Sequence, residues 1–273
     1  MLAKAFAEFD VLVLDIEGTI CPITFVRDVL FPYALSALPY YLEQHWESSD
    51  FATYREPFPE DCRIDRGAFE AHIRDLVARD VKAPYVKALQ GLLWQAGYAS
   101  GELKAPLFPD VAPFITAAHA AGKRICIYSS GSVQAQKLLF AHTNGEPSDL
   151  TGYISGWFDT VNAGPKTEVD SYNTILSDIG SSDASRCLFL SDNPKEVEAA
   201  LSSGMQSLPV IRPGNASLPE DDYLSQIAIY DLSAESDERI QQCLATLGKQ
   251  AGSSFQNVVK PAILASWFDS HKK

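Results

Sequence analysis

Four short aliphatic runs constrain this chain more than any other feature: Val11 to Leu14, Ile125 to Tyr128, Cys187 to Leu190 and Ser207 to Ile211. Each has the length of a strand, and an unbroken apolar run has to be covered on both faces, as in a parallel sheet. Helix patterns lie among the later runs. Val111, Phe114, Ala117, Ala118 and Ala121 are stopped by Gly122, and Val169, Tyr172, Ile175, Leu176 and Ile179 by Gly180; Pro194 to Ser203 is closed by Gly204. A glycine just past an apolar period ends a helix. Strands alternating with helices imply βαβ units, so the expected fold class is α/β, a parallel sheet with helices on both faces.

From Ile23 to Lys104 the texture is helical and holds no convincing strand. Val26, Val29, Leu30, Tyr33, Ala37, Leu38 and Tyr41 form one period; Phe69, Ile73, Leu76 and Val77 a second; Val86, Leu89 and Leu93 a third, with Pro84 at its first turn and Gly97 as its expected C-cap. The chain therefore divides into an α/β unit, residues 1–20 and 106–273, and an all-helical cap, residues 21–105, inserted after the first strand. An insertion there lies over the C-terminal ends of the strands, where open α/β sheets bind ligands. Its aromatics, Phe31, Tyr33, Tyr40, Tyr41 and Trp46, read as core ahead of a ligand box.

Charge removes one class of function. With 22 basic and 35 acidic residues the net is -13, which disfavours non-specific grip on a phosphate backbone, so no nucleic-acid partner is expected. Between Pro213 and Glu238 there are seven acids and no Lys or Arg, read as a solvated face. The cysteines Cys21, Cys62, Cys126, Cys187 and Cys243 are scattered, odd in number and without a CxxC pair, which points to reduced intracellular thiols rather than a disulfide frame or zinc site. Glu8 and Asp10 interrupt the only leader-like stretch and no run of 18 apolar residues exists, so neither export nor a membrane is expected.

The chemistry-bearing residues follow the strands. Asp15-Ile16-Glu17-Gly18-Thr19 puts two carboxylates two residues apart at the end of the first; such a pair needs a cation, and an oxygen-only set suits a hard ion such as Mg²⁺. The second strand ends in Ser129-Ser130-Gly131-Ser132, whose hydroxyls and N–H groups could hold a phosphate, although a Ser before a helix also serves as a simple N-cap. Lys166 follows a Gly-Pro turn and could aim its ammonium inward; taken alone it reads as a solvated lysine. The third strand runs into Asp192, a metal acid or an N-cap, with Glu196 four residues on as a brace.

These segments, in this order, resemble the haloacid-dehalogenase-like phosphohydrolases: strand-DxDGT, strand-Ser, Lys, strand-acid, here Asp15 to Thr19, Ser129, Lys166 and Asp192. Cys21 to Val26, Leu30 to Ala34, Tyr128 to Val133 and Gln136 to Phe140 narrow the likeness to the enolase-phosphatases of methionine salvage. The resemblance covers nearly the whole chain, fading after about Arg212, with Glu17 in place of the superfamily's second Asp and Asn193-Pro194 departing from its commonest wording. It implies a Rossmann-like core with a helical cap, one Mg²⁺ per chain held by Asp15, Asp192 and the Glu17 position, and Asp15 as nucleophile. Catalysis would rest on Asp15, Glu17 and Lys166, with phosphate bound by Ser129, Ser130 and Lys166. The substrate implied is the small molecule 2,3-diketo-5-methylthiopentyl-1-phosphate, and the protein would be a monomer in the cytoplasm, with the nucleus also open to it. A plain capped sugar or acid phosphatase uses the same hydrolytic residues, a dehalogenase needs no metal, and a non-catalytic scaffold would keep only the fold.

Overall fold

The computed structural model describes residues 3–79, 81 and 83–252; residues 253–273, counted above with the α/β unit, lie outside the described residues. The chain opens with α1 (Ala3–Phe6) and β1 (Val11–Leu14), then a π-helical turn (Val26–Leu30) leads into α2 (Phe31–His45), α3 (Ser49–Arg55), α4 (Arg66–Ala78) and α5 (Pro84–Ser100). Next come α6 (Val111–Ala120), β2 (Arg124–Tyr128), α7 (Val133–Ala141), β3 (Gly156–Phe158), α8 (Val169–Asp178), β4 (Cys187–Ser191), α9 (Pro194–Ser202) and β5 (Gln206–Pro209), followed by α10 (Tyr223–Gln226) and α11 (Asp237–Gly252).

The five strands form one sheet in the order β3-β2-β1-β4-β5, every pair parallel. Because successive side chains point to opposite faces, each apolar run divides between two cores. Leu12, Leu14, Ile125, Ile127, Leu188 and Leu190 pack on one side with α6, α7 and α11. Val13, Cys126, Phe189 and their neighbours pack on the other, against Tyr172 and Ile175 of α8 and Ala199 and Ala200 of α9. This is why the runs show no alternation: both faces are dry, and each buried Leu or Phe contributes about 1.5–3 kcal/mol. The fifth strand, β3, is only three residues of Gly-Trp-Phe and escaped the sequence reading.

A third core is built between β1 and β2 from Leu38, Leu42, Phe51, Phe69, Ile73 and Leu89. Tyr41 and Trp46 pack on Phe51 within it, whereas Tyr40 is exposed. Ile20, Cys21, Phe25 and Leu30 join the sheet's core. Two expectations need correction. Gly97 is not a C-cap: α5 runs through it and ends on Gly101 at φ +80, while Gly97 makes room for Tyr33, whose ring carbon Cζ would lie 2.5 Å from an added Cβ. The acidic stretch is only in part a solvated face. Leu224, Ile227, Ile229 and Leu232 are buried in it, Asp222 caps α10, and the buried Asp237 accepts from the N–H groups of Lys4 and Ala5 at 3.2 and 2.8 Å. Among the described residues no helix is long and apolar enough to cross a membrane.

Candidate active site

Register decides what meets at the sheet edge. Leu14 pairs with Ile127 on one side and Leu190 on the other, so the chain leaves β1, β2 and β4 at one level, carrying Asp15, Ser129 and Asp192. The Asp15 N–H donates to Leu190 O at 3.0 Å and the Ser129 N–H to Phe158 O at 3.2 Å, so both residues start from fixed backbone.

Lys166 arrives from the loop after β3. Three hydroxyls take three successive carbonyls of that loop, each at 2.7 Å: Tyr128 Oη donates to Gly164 O, Ser171 Oγ to Pro165 O and Tyr172 Oη to Lys166 O. The loop is thereby tied to β2 and α8, and the Lys166 side chain is turned in rather than out. It is 9% exposed, with Nζ 2.5 Å from Asp15 Oδ1 and 2.7 Å from Glu196 Oε2. Burial works to lower the ammonium's pKa, but Asp15 and Glu196 outweigh it and hold the value raised, so the charge is kept. Glu196 does more than brace: it accepts from Ser191 Oγ at 2.8 Å and from Asn193 Nδ2 at 3.3 Å, and Ser191 also reaches Asp15 Oδ2 at 3.3 Å.

The N-cap reading of the Ser129–Ser132 stretch holds at Ser132 and not at Ser129, and that of Asp192 fails. Ser132, not Ser129, caps α7, with its Oγ accepting from Ala135 N at 3.3 Å. Ser129 is fully buried and donates to Glu17 Oε2 at 3.1 Å. Asn193, not Asp192, caps α9. Asp192 instead donates its N–H to Thr19 Oγ1 at 3.0 Å and lays its carboxylate against the Cα of Gly18, where an added Cβ would come 2.3 Å from Oδ2. Gly18 has φ +78, a backbone state that favours glycine. One residue thus satisfies two demands, a left-handed turn and a close approach.

Asp15, Glu17, Ser130, Lys166, Asp192 and Glu196 all border one cavity of about 440 Å³. Four carboxylates face one ammonium there. Burial, then Asp15 and Glu196, push the Asp192 carboxyl up to about 7, and burial followed by Asp15 raises Glu17. A pocket short of positive charge and lined by oxygen fits a hard divalent cation. Among the described residues no three His, Cys, Asp or Glu side chains form a metal-ligating group. Asp15 Oδ1 lies on Lys166 and the Glu17 carboxylate on Ser129, while the Glu17 main-chain carbonyl accepts from no described residue.

Glu17 and Ser130 also border a second cavity, of about 290 Å³, walled by Val26, Leu30, Phe31 and Trp94 from the helical insertion and by Leu138 and Leu139 from α7. Of the five aromatics weighed in the sequence only Phe31 reaches it, stacked on Trp94 with centroids 6.4 Å apart. The sequence reading missed Ser191, and it missed Arg212 and Asn215, which hold the loop after Asp15 from about 200 residues away. Only the polar end of β4 hinted at the first.

Residues 9–204 match the family model of haloacid dehalogenase-like hydrolases. The chain is 61% identical over 232 residues to the enolase-phosphatase E1 of Fusarium vanettenii, covering 85% of this chain and 98% of that one. It is 51% identical over 213 residues to the enolase-phosphatase E1 of Yarrowia lipolytica, covering 75% and 90%. The crystal structure of the UTR4 protein of Saccharomyces cerevisiae superposes with a TM-score of 0.71 at 43% identity, covering 82% of this chain and 96% of that one.

Proposed function

The chain belongs to the haloacid dehalogenase-like hydrolases, and within them to the enolase-phosphatase E1 family; from that membership we infer that it is the enolase-phosphatase of methionine salvage. It enolises 2,3-diketo-5-methylthiopentyl-1-phosphate and releases phosphate, leaving acireductone. The observation that carries the hydrolytic part is the Asp15–Lys166 pair at 2.5 Å within one carboxylate-rich pocket.

An Asp15 oxygen attacks phosphorus, the bond from phosphorus to the substrate oxygen breaks, and water later cleaves the aspartyl-phosphate to return the carboxylate. Lys166 holds a phosphoryl oxygen as charge spreads over it, and its bond to Asp15 keeps the nucleophile oriented beforehand. Ser130 supplies a hydroxyl at the β2 end of the pocket, and Ser129, which borders the second cavity, holds Glu17 by donating to its Oε2 at 3.1 Å. Glu17 borders both cavities, which suits it to carry protons between the substrate carbon or leaving oxygen and the solvent; a residue of the helical insertion is the other candidate for the enolisation step. Mg²⁺, one per chain, fits Asp15, Asp192 and the Glu17 carbonyl, and when bound it supplies the positive charge that lets an anion approach an anion. The apolar second cavity suits the methylthio tail and keeps water from it.

Among the described residues, the segment 21–105 acts as the cap of this site and residues 3–20 with 106–252 as its catalytic core. All five thiols are free and buried, which suits a reducing cell interior; the family resemblance adds a monomeric enzyme of the cytoplasm, with the nucleus as a second location. Asp15→Asn tests the reading: phosphate release from the diketo substrate is abolished, and retention of more than a few per cent of turnover would overturn it.

A further inference from the structure

We propose that Arg212 and Asn215, in the segment that follows β5, are positioning residues for the loop that carries Asp15 and Glu17. The match to the hydrolase family model ends at residue 204, so both lie beyond it, and the sequence reading took the stretch that begins at Pro213, with Asn215 in it, for a solvated face. The inference rests on the reading of that loop as catalytic.

Two consecutive carbonyls of the loop are held from this segment. Asn215 Nδ2 donates to Gly18 O at 2.8 Å and to Val210 O at 3.4 Å. Only an NH₂ can sit between two carbonyls, so the amide's orientation is fixed by chemistry, and its Oδ1 is left buried without a partner among the described residues. Arg212 Nε donates to Thr19 O at 2.9 Å. Its guanidinium is in turn locked by Asp110 at 2.8 Å and lies 4.6 Å over the ring of Phe108, a residue whose backbone N–H donates to Ile20 O at 3.0 Å. Arg212 is 4% exposed, so this is an interior clamp rather than a surface contact.

The held peptides are the ones that matter to the site. Gly18 is the floor against which the Asp192 carboxylate lies, and Thr19 Oγ1 accepts the Asp192 N–H. Rotation of the Gly18 peptide therefore moves Asp192 relative to Asp15, and leaves the flanking Glu17 carbonyl free to turn. Further along, Ala216, Ser217, Leu218 and Pro219 border the cavity of Asp15 and Lys166. The segment thus acts twice, as a clamp on the loop and as a wall of the pocket.

The test compares Asn215→Ala with Asn215→Asp, measuring kcat and KM for phosphate release, thermal midpoint, and Mg²⁺ affinity by calorimetry on metal-stripped protein. If the amide positions the loop as a donor, Asn215→Ala lowers kcat about 3- to 10-fold with KM within about twofold, and weakens Mg²⁺ binding by a similar factor. Asn215→Asp, which keeps the shape but sets an acceptor against Gly18 O, does at least as much damage. Wild-type kcat and Mg²⁺ affinity in both variants would overturn the proposal. So would an Asn215→Asp protein better than Asn215→Ala, because that order belongs to packing. Arg212→Lys, which keeps charge but loses the fork, is expected to repeat the kcat loss; a fall in thermal midpoint alone, with normal turnover per folded molecule, counts against the clamp. Wild-type protein without Mg²⁺-dependent phosphate release would refute the functional reading instead.

Discussion

Replacing Gly18 with alanine perturbs the site by a single methyl whose consequences can be worked from geometry. The backbone there has φ +78, and an L-residue in that region costs about 1–2 kcal/mol. The new Cβ would stand 2.3 Å from Asp192 Oδ2 and 2.5 Å from its Cγ, so the carboxylate must retreat by roughly 1 Å to reach ordinary contact. A misplacement of that size in a catalytic constellation costs about 100-fold in rate. Gly101 supplies the control: its φ is +80, but nothing lies within 4 Å of an added Cβ. Both variants should lose a comparable backbone contribution, a fall in thermal midpoint of roughly 2–8 °C, while only Gly18→Ala should lose about 100-fold in kcat/KM and bind Mg²⁺ more weakly. Steady-state phosphate release, scanning calorimetry and Mg²⁺ titration on the pair make the comparison. Equal activity in the two variants would refute the reasoning, since it would mean that the seat of Asp192 does not matter.

Two further substitutions probe the other halves of the account. Lys166→Met leaves the Asp15 and Glu196 carboxylates buried without their cation; turnover should fall by at least about 100-fold and the thermal midpoint should drop, and normal turnover would remove Lys166 from the mechanism. Phe31→Ala opens the apolar cavity beside Trp94, so kcat/KM for the methylthio substrate should fall roughly 10-fold relative to that for a plain sugar phosphate; an unchanged ratio would place the tail elsewhere.

The strands that build the site were legible because each apolar run stops on a polar residue: Asp15 after Leu14, Ser129 after Tyr128, and Ser191-Asp192 after Leu190. A parallel sheet then has to bring those ends to one edge. What was not legible depends on contacts rather than pattern. Ser129 and Ser132 have the same chemistry, and only the register and the start of α7 decide which is the cap. A three-residue β3 gives no period to detect. Asn215 sits in a stretch whose local composition speaks of solvent and Arg212 just before it, yet their partners, Gly18 and Thr19, are at the other end of the chain. Glu196 was placed correctly on an early helical turn, but its pairing with Lys166 needed the loop after β3 to be folded back by Tyr128, Ser171 and Tyr172.

The most direct measurement follows both products from the diketo phosphate, acireductone by its absorbance and inorganic phosphate by a coupled assay, with and without a chelator. The account predicts that the two appear together in equal amounts, that chelation stops both and that Mg²⁺ restores both. Phosphate appearing without acireductone would leave a plain phosphatase, and release indifferent to the chelator would contradict a carboxylate pocket organised around a divalent cation.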